Sequence, residues 1–298
     1  MRQSSQTLAA IMMVRNEQHI VASSIGHLLT TLGVDRIYVT DNGSTDRTPD
    51  ILRRIAGSTS RVVVDFHPGD FRQADIFTAL ARRARLEGMD WVLPTDADEF
   101  FWLRPGVSLA SLCSRDGIGG YRLSVCNFLQ ARPVRRDWFG SLLTMGVAAV
   151  PFGSVADGRG MVGSGEIPFV RITCPSKLLL RTAASLEIAF GNHDASHTAG
   201  PLAALEDGVI LHAPIRSPGH LRRRAEVGRR TEAVTPDPGQ SWHVKRIAAM
   251  DTAALDEEWR RNSYAPLRPV LPGKTRLDLR LCRVGLQQSG FSRRFGRI

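Results

Sequence analysis

Cysteine is scarce in this chain of 298 residues, which has only four. They are scattered, with no Cys-x-x-Cys pair and no histidine at the spacing of a zinc site. This argues against a metal or redox role for Cys113, Cys126, Cys174 and Cys282. We expect reduced thiols that pack inside a cytoplasmic protein.

Long apolar runs are also missing. No run approaches the ~20 residues that a membrane-spanning helix needs. The segment 1–14 is not followed by the small-residue cleavage site of a signal peptide. With 43% hydrophobic residues, the composition is that of a soluble globular protein with one large domain or two small ones.

Lysine is the third scarce residue. Only Lys177, Lys245 and Lys274 are lysines, so the formal net charge of +10 comes almost wholly from arginine. Arginine binds phosphate and carboxylate in a forked geometry. The charge therefore predicts an anionic partner, which is a nucleotide, an anionic lipid or a nucleic acid. Codon preference in a high-GC genome would give the same surplus.

Strands and helices alternate over the first hundred residues. Apolar runs predict strands at 8–14, 36–40, 61–66 and 91–95. Helical spacing predicts helices from Asn16 to Gly33, from Thr48 as N-cap, and from about Phe71 to Leu86. Right-handed crossovers make these strands parallel. We therefore predict an α/β fold with a doubly wound, mostly parallel sheet.

The pattern changes after residue 105. Strands at 120–129, 141–150, 177–181 and 208–212 predict a smaller mixed β region, with a long glycine-rich loop at 151–168. A basic helix is expected from Ser217-Pro218, because this pair reads as an N-cap followed by proline at N1. Another helix is expected at 252–261, so the C-terminal part is helical.

Polar clusters follow three of the first four strands, at 15–17, 41–44 and 96–99. Ligands of open α/β sheets bind beyond the carboxyl ends of the strands, so these clusters should lie along one edge. Asp96 and Asp98 are two residues apart, and on an extended backbone both side chains point the same way. Such a pair can hold a hard divalent cation with positions left for phosphate oxygens. A solvated acidic turn is the alternative.

The first strand is followed by Arg15-Asn16-Glu17 rather than by a glycine-rich phosphate loop. This argues against a dinucleotide-binding Rossmann domain and against a P-loop. Phosphates would then have to be neutralised by a metal ion and by arginine.

The three clusters, in this order and at these spacings, resemble the N-terminal half of family 2 glycosyltransferases. They are most similar to the branch with an Asp-Ala-Asp-Glu-Phe motif, here 96–100. The resemblance extends more loosely to about residue 230. It implies a GT-A fold, with a glycosyltransferase domain at 1–230 and a C-terminal helical or irregular extension at 231–298. The nucleotide-binding half would be 1–105 and the acceptor half 106–230.

The same resemblance implies an activity, which is metal-dependent, inverting sugar transfer of the hexosyltransferase type. The donor would be a nucleotide-diphosphate sugar, a UDP-sugar or alternatively a GDP-sugar, and the cofactor Mn²⁺ or Mg²⁺. The acceptor would be a saccharide, a lipid or another hydroxyl compound, as in polysaccharide biosynthesis. No nucleic acid is expected as a partner, whereas a peripheral contact with the inner membrane face agrees with the arginine surplus.

Site residues follow from the family pattern. Asp41 would hold the nucleobase or ribose, Asp96 the ribose or the metal, and Asp98 the metal. Arg15, Asn16 and Glu17 would border the donor. His212 follows a late strand and would complete the metal site or only cap the strand. Glu99 would support the site or close the turn.

An inverting transfer also needs a general base near the acceptor hydroxyl. Asp194, His193 and Glu166 are the candidates, and Glu166 lies in the glycine-rich loop, which could close over substrate. The chain lacks the Glu-Asp pair that many family 2 members use as the base. Arg72 and Gln73 could border the donor site. Trp102 and Trp138 could stack on sugar rings or belong to the core. Of the arginines at 222–224 and 229–230, some could reach the diphosphate, and the others would form a solvated face or contact anionic lipid.

Two other functions are open to the sequence. The charge suggests a nucleic-acid-binding protein, although no helix-turn-helix, zinc finger or RNP-like motif is present. A nucleotidyltransferase with a GT-A-like fold is the other alternative, and such enzymes usually carry a glycine-rich loop after the first strand.

Overall fold

The structure is a computed structural model that describes residues 6–70, 72–132, 142–234, 242–265, 271 and 273–296. The chain divides into two compact units. The first unit comprises Met1–Val125, Ser176–Ile210 and Gln287–Ile298, and the second comprises Cys126–Pro175 and Leu211–Leu286. This division does not fall at residues 105 and 230. The assignment of a nucleotide-binding half, an acceptor half and an extension is functional and stays a prediction.

Strands are numbered in chain order. They are β1 Leu8–Val14, β2 Arg36–Asp41, β3 Val62–Phe66, β4 Trp91–Pro94, β5 Glu99–Leu103, β6 Gly120–Ala131, β7 Val147–Ala149, β8 Lys177–Arg181, β9 Glu187–Ile188, β10 Ala195–Ser196, β11 Leu202–His212, β12 Ser263–Tyr264 and β13 Thr275–Leu277.

Helices are numbered in the same way. They are α1 Val21–Gly26, α2 Thr48–Ser58, α3 Gln73–Leu86, α4 Leu109–Cys113, α5 Gly158–Gly163, α6 Pro218–Val234, α7 Trp242–Ala248, α8 Thr252–Arg261, α9 Arg280–Gln287 and α10 Ser289–Gly296. A π-helical turn, His27–Thr31, continues α1.

The first unit is built on a sheet whose parallel part has the order β4-β1-β2-β3. Strand β1 is buried along almost its whole length, as its continuous apolar run predicts. Next to β4 the sheet becomes antiparallel through β8, which pairs with the first residues of β6. The predicted α/β fold, with a mostly parallel sheet that continues into a mixed β region, is confirmed.

Helix α3 covers one face of this parallel sheet. Its apolar stripe buries Phe77, Leu80 and Ala84 against Tyr38 and Val92 of the strands. The predicted helix began at Phe71, which lies outside the described residues, and the helix itself begins at Gln73. The stripe at i, i+3 and i+7 is what places the helix on the sheet.

Helix α2 begins differently from the prediction. Thr48 was expected as its N-cap, but Thr48 is already its first residue and Arg47 precedes it. The Thr48 hydroxyl donates to Asp46 Oδ1 at 2.6 Å and accepts from Glu17 N at 2.8 Å. Since the hydroxyl is used in these two contacts, it serves the loop between β2 and α2 rather than the helix end.

The second unit combines strand pairs with helices. The end of β6 pairs with β7 and β12, and β13 pairs with β7. Its apolar core brings together Phe169, Leu221, Ile247 and Trp259 from different segments. Helix α6, starting at Pro218 with Ser217 before it, confirms the predicted basic helix, and α8 confirms the predicted helix at 252–261.

Three predictions for the mixed region are wrong in extent. The strand expected at 141–150 is only Val147–Ala149, because Met145 N donates to Leu142 O in a turn and Gly146 follows. The strand expected at 208–212 is the end of the longer β11.

The loop expected at 151–168 contains α5, whose sequence is a G-x-G-x-x-G. These glycines lie within the short helix itself rather than between a strand and a helix, so the dinucleotide fingerprint does not apply to them. No helix in the described part of the chain has the length and apolar character needed to cross a bilayer.

Candidate active site

The carboxyl ends of β1, β2 and β4 lie along one edge of the sheet in the first unit. Val14 is in register with Asp41 and Ile11 with Pro94, and all three strands are parallel. Thr95 N donates to Ile11 O at 3.1 Å, and Asn42 N donates to Val14 O at 2.9 Å. The three polar clusters of the sequence therefore follow neighbouring strand ends, where α/β sheets bind ligands.

Asn16 joins the first cluster to the second. It adopts a left-handed backbone conformation, with φ of 56°. Its N–H donates to Ser44 Oγ at 2.8 Å, and its Oδ1 accepts from Thr45 N at 2.7 Å. These contacts fix the loop after β2, so Asn16 shapes this edge of the sheet. Its predicted contact with the donor stays a prediction.

Asp41 is buried at the end of β2, with 2% of its surface exposed. Its Oδ1 accepts from Ser44 N at 2.8 Å. Its Oδ2 is buried and has no hydrogen-bond partner among the described residues. An unpaired buried oxygen costs about 1–3 kcal/mol, so the position fits a ligand that brings a donor, such as a base N–H or a ribose hydroxyl.

Asn42 holds the neighbouring segment 67–70. Its Nδ2 donates to His67 O at 3.1 Å and to Gly69 O at 3.2 Å. Asn42 is fully buried, and its Oδ1 has no partner in the described part of the chain. The amide therefore stabilises the surrounding loops, as the sequence indicated, and offers one further acceptor oxygen.

A buried lysine sits at the acidic cluster. Lys177 Nζ is 3.0 Å from Asp96 Oδ2, 3.0 Å from Glu99 Oε1 and 2.9 Å from Gly191 O. Its side chain is only 5% exposed. Burial by itself would lower the pKa of Lys177, but the charges and hydrogen bonds of the two carboxylates outweigh it and raise the pKa above its usual value.

Glu99 closes the acidic turn. Its Oε2 accepts from Asp96 N at 3.3 Å, and its own N–H donates to Asp96 O at 3.1 Å. Together with the ion pair to Lys177, these contacts hold the backbone from 96 to 99 in one conformation. Glu99 therefore closes the turn and contacts Asp96, while its supporting role in a donor site stays a prediction.

The carboxylates can be tested for fit to a divalent cation. No group of three or more His, Cys, Asp or Glu side chains that could hold a metal occurs in the described ranges. Asp98 is buried to 8% exposure, while the side chain of Asp96 is 31% exposed and shares one oxygen with Lys177. One or two carboxylates suit a Mg²⁺-like ion that receives its other ligands from phosphates and water. The residues therefore fit a cation that arrives with a nucleotide, rather than one in a complete protein cage.

Gly191 links the segment 190–194 to Lys177 and, through that lysine, to the acidic cluster. Its carbonyl accepts from Lys177 Nζ, and its N–H donates to Gln73 Oε1 at 3.0 Å. Gly191 has φ of 79°, and a Cβ there would lie 2.7 Å from His193 Cδ2, so only glycine fits. Gln73, which was expected to border the donor site, is thereby linked to the acidic cluster.

Two of the three candidate bases follow Gly191 directly. His193 Nδ1 lies 3.1 Å from Ser176 O. Because a carbonyl only accepts, Nδ1 carries the proton and the lone pair is on Nε2. Asp194 Oδ1 accepts from Arg122 at 2.7 Å, and this hydrogen bond lowers the pKa of Asp194. A carboxylate held ionised by arginine is a weaker proton acceptor than the histidine.

The third candidate base, Glu166, and the candidate metal ligand His212 belong to the second unit. Glu166 is exposed, and His212 Nδ1 is 2.8 Å from Asn127 Oδ1. Asn127 uses its Nδ2 to donate to Val170 O at 3.0 Å, so its Oδ1 accepts from His212. The lone pair of His212 is then on Nε2, which is the tautomer that a metal ligand needs. The proposed role of each stays a prediction.

The arginines expected near the donor are engaged with the protein. Arg72 pairs with Asp75 at 2.7 Å and Arg222 with Asp256 at 3.0 Å, both on the surface. Arg224 donates to Pro214 O at 2.8 Å. These contacts favour the solvated-face interpretation for this group. Trp138 lies outside the described residues.

Lys177 was missed as a site residue. The sequence contained a signal, because a lysine that begins an apolar strand must bury its charge or point away from the sheet. In a chain with only three lysines, such a position is informative. Arg122, which controls Asp194, gave no comparable signal, since it is one of many arginines on a strand.

Residues 9–105 match the family model described as Glycosyl transferase family 2. This confirms the resemblance for that segment, while the Asp-Ala-Asp-Glu-Phe branch stays a prediction. No curated protein matches the chain.

Several solved structures are similar to this chain, among them the following three. A mannosyltransferase from Pyrobaculum calidifontis, in complex with GDP-Man and Mn²⁺, is 14% identical, with 98% of this chain and 87% of that chain covered and a TM-score of 0.41. TarS 1-349 of S. aureus with UDP-GlcNAc is 11% identical, with 85% and 70% covered and a TM-score of 0.39. Glucosyl-3-phosphoglycerate synthase from Mycobacterium tuberculosis with Mn²⁺, UDP and phosphoglyceric acid is 19% identical, with 83% and 80% covered and a TM-score of 0.36.

Proposed function

We propose that this protein is a glycosyltransferase that moves a sugar, with inversion, from a nucleoside-diphosphate sugar to a hydroxyl acceptor; the match of residues 9–105 to the model described as Glycosyl transferase family 2 supports this proposal. The observation that carries the proposal is the buried Oδ2 of Asp41 at the ligand edge of the sheet, which accepts no hydrogen bond from the part of the chain that the structure describes. A base or ribose of the donor supplies the missing hydrogen bond. A UDP-sugar is the first expectation and a GDP-sugar the second, with a glycan or glycolipid as acceptor.

The acidic cluster binds the diphosphate end of the donor. Asp98 and Asp96 are the residues that would hold Mn²⁺ or Mg²⁺. When bound, the cation would supply a fixed positive charge opposite the leaving nucleoside diphosphate. Lys177 keeps Asp96 and Glu99 in place and reduces the negative charge that the phosphates meet.

For the general base we favour His193 over Asp194 and Glu166. The Nε2 of His193 carries the lone pair because Nδ1 donates to Ser176 O. The base takes the proton of the acceptor hydroxyl as that oxygen attacks the anomeric carbon. The enzyme would act in the cytoplasm, with a peripheral contact to the membrane.

A thermal-shift titration tests the donor site. UDP or GDP with Mn²⁺ should raise the melting temperature, whereas Mn²⁺ alone should have little effect, because the cation needs the phosphates as ligands. Asp41→Asn should weaken nucleotide binding by about 1–3 kcal/mol, since it replaces a charged acceptor. Asp98→Ala should remove the part of the shift that depends on Mn²⁺.

Asp50→Ala is the matched control, because Asp50 is exposed on α2 in the same unit and pairs only with Arg53 in a surface salt bridge. Its nucleotide shift should equal that of the wild type. The proposal fails if no nucleotide stabilises the wild-type protein, or if Asp41→Asn and Asp50→Ala behave alike.

A further inference from the structure

The second unit exposes an unusual number of large apolar side chains. Leu271, Leu277, Leu279 and Leu286 are 49 to 65% exposed, and Phe152 is 46% exposed. Four of these five lie within sixteen residues of sequence. Scattered exposed leucines are ordinary, but a concentration of them marks an interaction surface. We call these five residues, with the cations Arg171, Lys274 and Arg283, the leucine–arginine surface.

Backbone and side-chain contacts connect one part of this surface. The Arg171 guanidinium lies 5.2 Å from the centre of the Phe152 ring and donates to Gly273 O at 3.2 Å. Thr275 N donates to Leu271 O at 3.0 Å. Leu277 follows on β13, where alternate residues share a face of the strand. Phe152 and the turn at 271–275 therefore lie side by side.

Helix α9 extends the same pattern. It buries Leu281, Val284 and Gly285 in the second unit, while Arg283 and Leu286 are exposed. Helix α9 therefore adds one exposed leucine and one exposed arginine to this surface.

The charge of this surface is of one sign. Within the described residues 271 and 273–286, Asp278 is the only acidic residue against Lys274, Arg276, Arg280 and Arg283. Asp278 is held by Arg280, which donates to both of its carboxylate oxygens at 2.6 to 3.2 Å. Burial alone would raise the pKa of Asp278, but the hydrogen bonds and charge of Arg280 outweigh it and lower the pKa. The segment thus presents exposed cations and no exposed carboxylate.

We propose that the leucine–arginine surface seats the protein on an anionic lipid bilayer. The leucines enter the boundary between headgroups and acyl chains, and the cations pair with lipid phosphates. A lipid surface accounts for both the exposed leucines and the cations, since its anionic headgroups lie over an apolar layer of acyl chains. Nucleic acid would match the charge but would leave the exposed leucines without a role. The proposal does not depend on the sugar or the nucleotide.

Vesicle co-sedimentation of the full chain tests this proposal. The protein should sediment with vesicles of phosphatidylcholine mixed with phosphatidylglycerol, but not with phosphatidylcholine alone. Binding should fall as salt is raised. Arg283→Gln should weaken it about fivefold, the effect of about 1 kcal/mol for each cation near an anionic surface. Leu277→Glu and Leu286→Glu should each weaken it more strongly.

Leu86→Glu is the matched control, because Leu86 is 81% exposed but lies on α3 in the first unit. Its binding should equal that of the wild type, and all variants should keep the wild-type melting temperature. The proposal is overturned if the protein does not sediment with anionic vesicles, or if Leu86→Glu weakens binding as much as Leu277→Glu. Self-association through this surface would also overturn it. In that case the wild type would form a dimer that Leu277→Glu abolishes, and neither protein would bind lipid.

Discussion

At the scale of single residues, the acidic cluster depends on one cation of the protein itself. Three carboxylates within four residues would repel one another and any approaching phosphate. Lys177 offsets this repulsion by pairing with Asp96 and Glu99. These contacts fix the positions of Asp96 and Glu99 within the cluster.

Removing this cation should destabilise the fold. Lys177→Met leaves Glu99 buried without its ion-pair partner, a change that typically costs about 3–5 kcal/mol. Urea unfolding of the variant and the wild type measures the difference. Lys274→Met is the control, because Lys274 is exposed and should change stability by less than about 0.5 kcal/mol.

The double variant Lys177→Met/Glu99→Gln separates charge balance from positioning. It should recover part of the lost stability, because the buried unpaired charge is gone. It should not recover nucleotide binding, since Asp96 has lost the group that orients it. Full recovery of both would mean that Lys177 only neutralises Glu99.

A buried histidine gives the protein an acid-sensitive position. His27 Nε2 donates to Phe101 O at 2.7 Å, and its Nδ1 is buried without a partner among the described residues. Burial lowers the pKa of His27 from 6.5 to about 4, although the bond to Phe101 opposes this. Because the unfolded chain then binds the proton more readily, stability is complete above pH 6.5 and falls as the pH drops to about 4.

This loss should reach about 3 kcal/mol. Urea unfolding between pH 7 and pH 4 should therefore show a smaller loss of stability for His27→Gln than for the wild type. His197→Gln, at an exposed position, should follow the wild-type curve. Parallel curves for His27→Gln and the wild type would contradict the assignment.

At the scale of elements, strands and helices were predicted most accurately where one pattern of apolar residues continues along the whole element. The run 8–14 is apolar throughout, and the stripe of α3 repeats over four turns, so β1 and α3 were both expected close to their observed bounds. The strand expected at 141–150 failed because Gly146 and a turn interrupt an apolar stretch. Helix α5 was missed because five of the residues from 151 to 168 are glycines, whose intrinsic helix propensity is low.

Two glycines should respond to alanine in opposite directions. A Cβ on Gly119 would collide with the backbone of Gly200, whereas Gly57 in α2 has open space around it. Gly119→Ala should therefore cost at least about 1–3 kcal/mol by overpacking. Gly57→Ala should stabilise by about 0.5–1 kcal/mol, because it restricts the unfolded chain and favours helix. Thermal unfolding of both variants measures the contrast, and equal effects would refute it.

At the scale of the whole molecule, helix α10 completes the first unit. Ser292 Oγ lies 2.7 Å from Ser23 Oγ in the interior, and Gln288 Nε2 donates to Thr31 Oγ1 at 3.0 Å. Arg54 of α2 donates to the carbonyl of Phe295. The segment expected as a separate C-terminal extension thus contributes its last helix to the unit that contains β1.

Truncating Phe295 should consequently weaken the first unit. Phe295 is buried, and Phe→Ala substitutions at such positions cost about 3–5 kcal/mol. Hydrogen exchange in β1 and β2 should accelerate in Phe295→Ala. Phe66→Ala, which removes a ring that is 43% exposed, should leave exchange in β1 close to the wild-type rate. Unchanged protection in Phe295→Ala would mean that α10 does not support the sheet.

The sequence predicted those parts of the site that follow successive strands, but not the contacts between residues that are far apart in the sequence. The clusters after β1, β2 and β4 could be placed together because parallel strands end at one edge. The contacts of Asp96 and Glu99 with Lys177 join residues 81 and 78 positions apart, and no periodicity encodes such a distance. The hydrogen bond between Gly191 and Gln73 joins residues 118 positions apart, and the sequence pattern does not predict it either.

The return of α10 to the first unit also constrains how the protein is made. A ribosome delivers the chain from its N-terminus, and a contiguous unit can fold as soon as it emerges. The first unit is assembled from three separate segments, the last of which begins at Gln287. The predicted ligand edge is encoded in the first hundred residues, whereas α10, which packs against α1 and α2, is encoded only after residue 288. The nascent sheet therefore cannot complete its contacts with α10 until residues 289–296 have been synthesised.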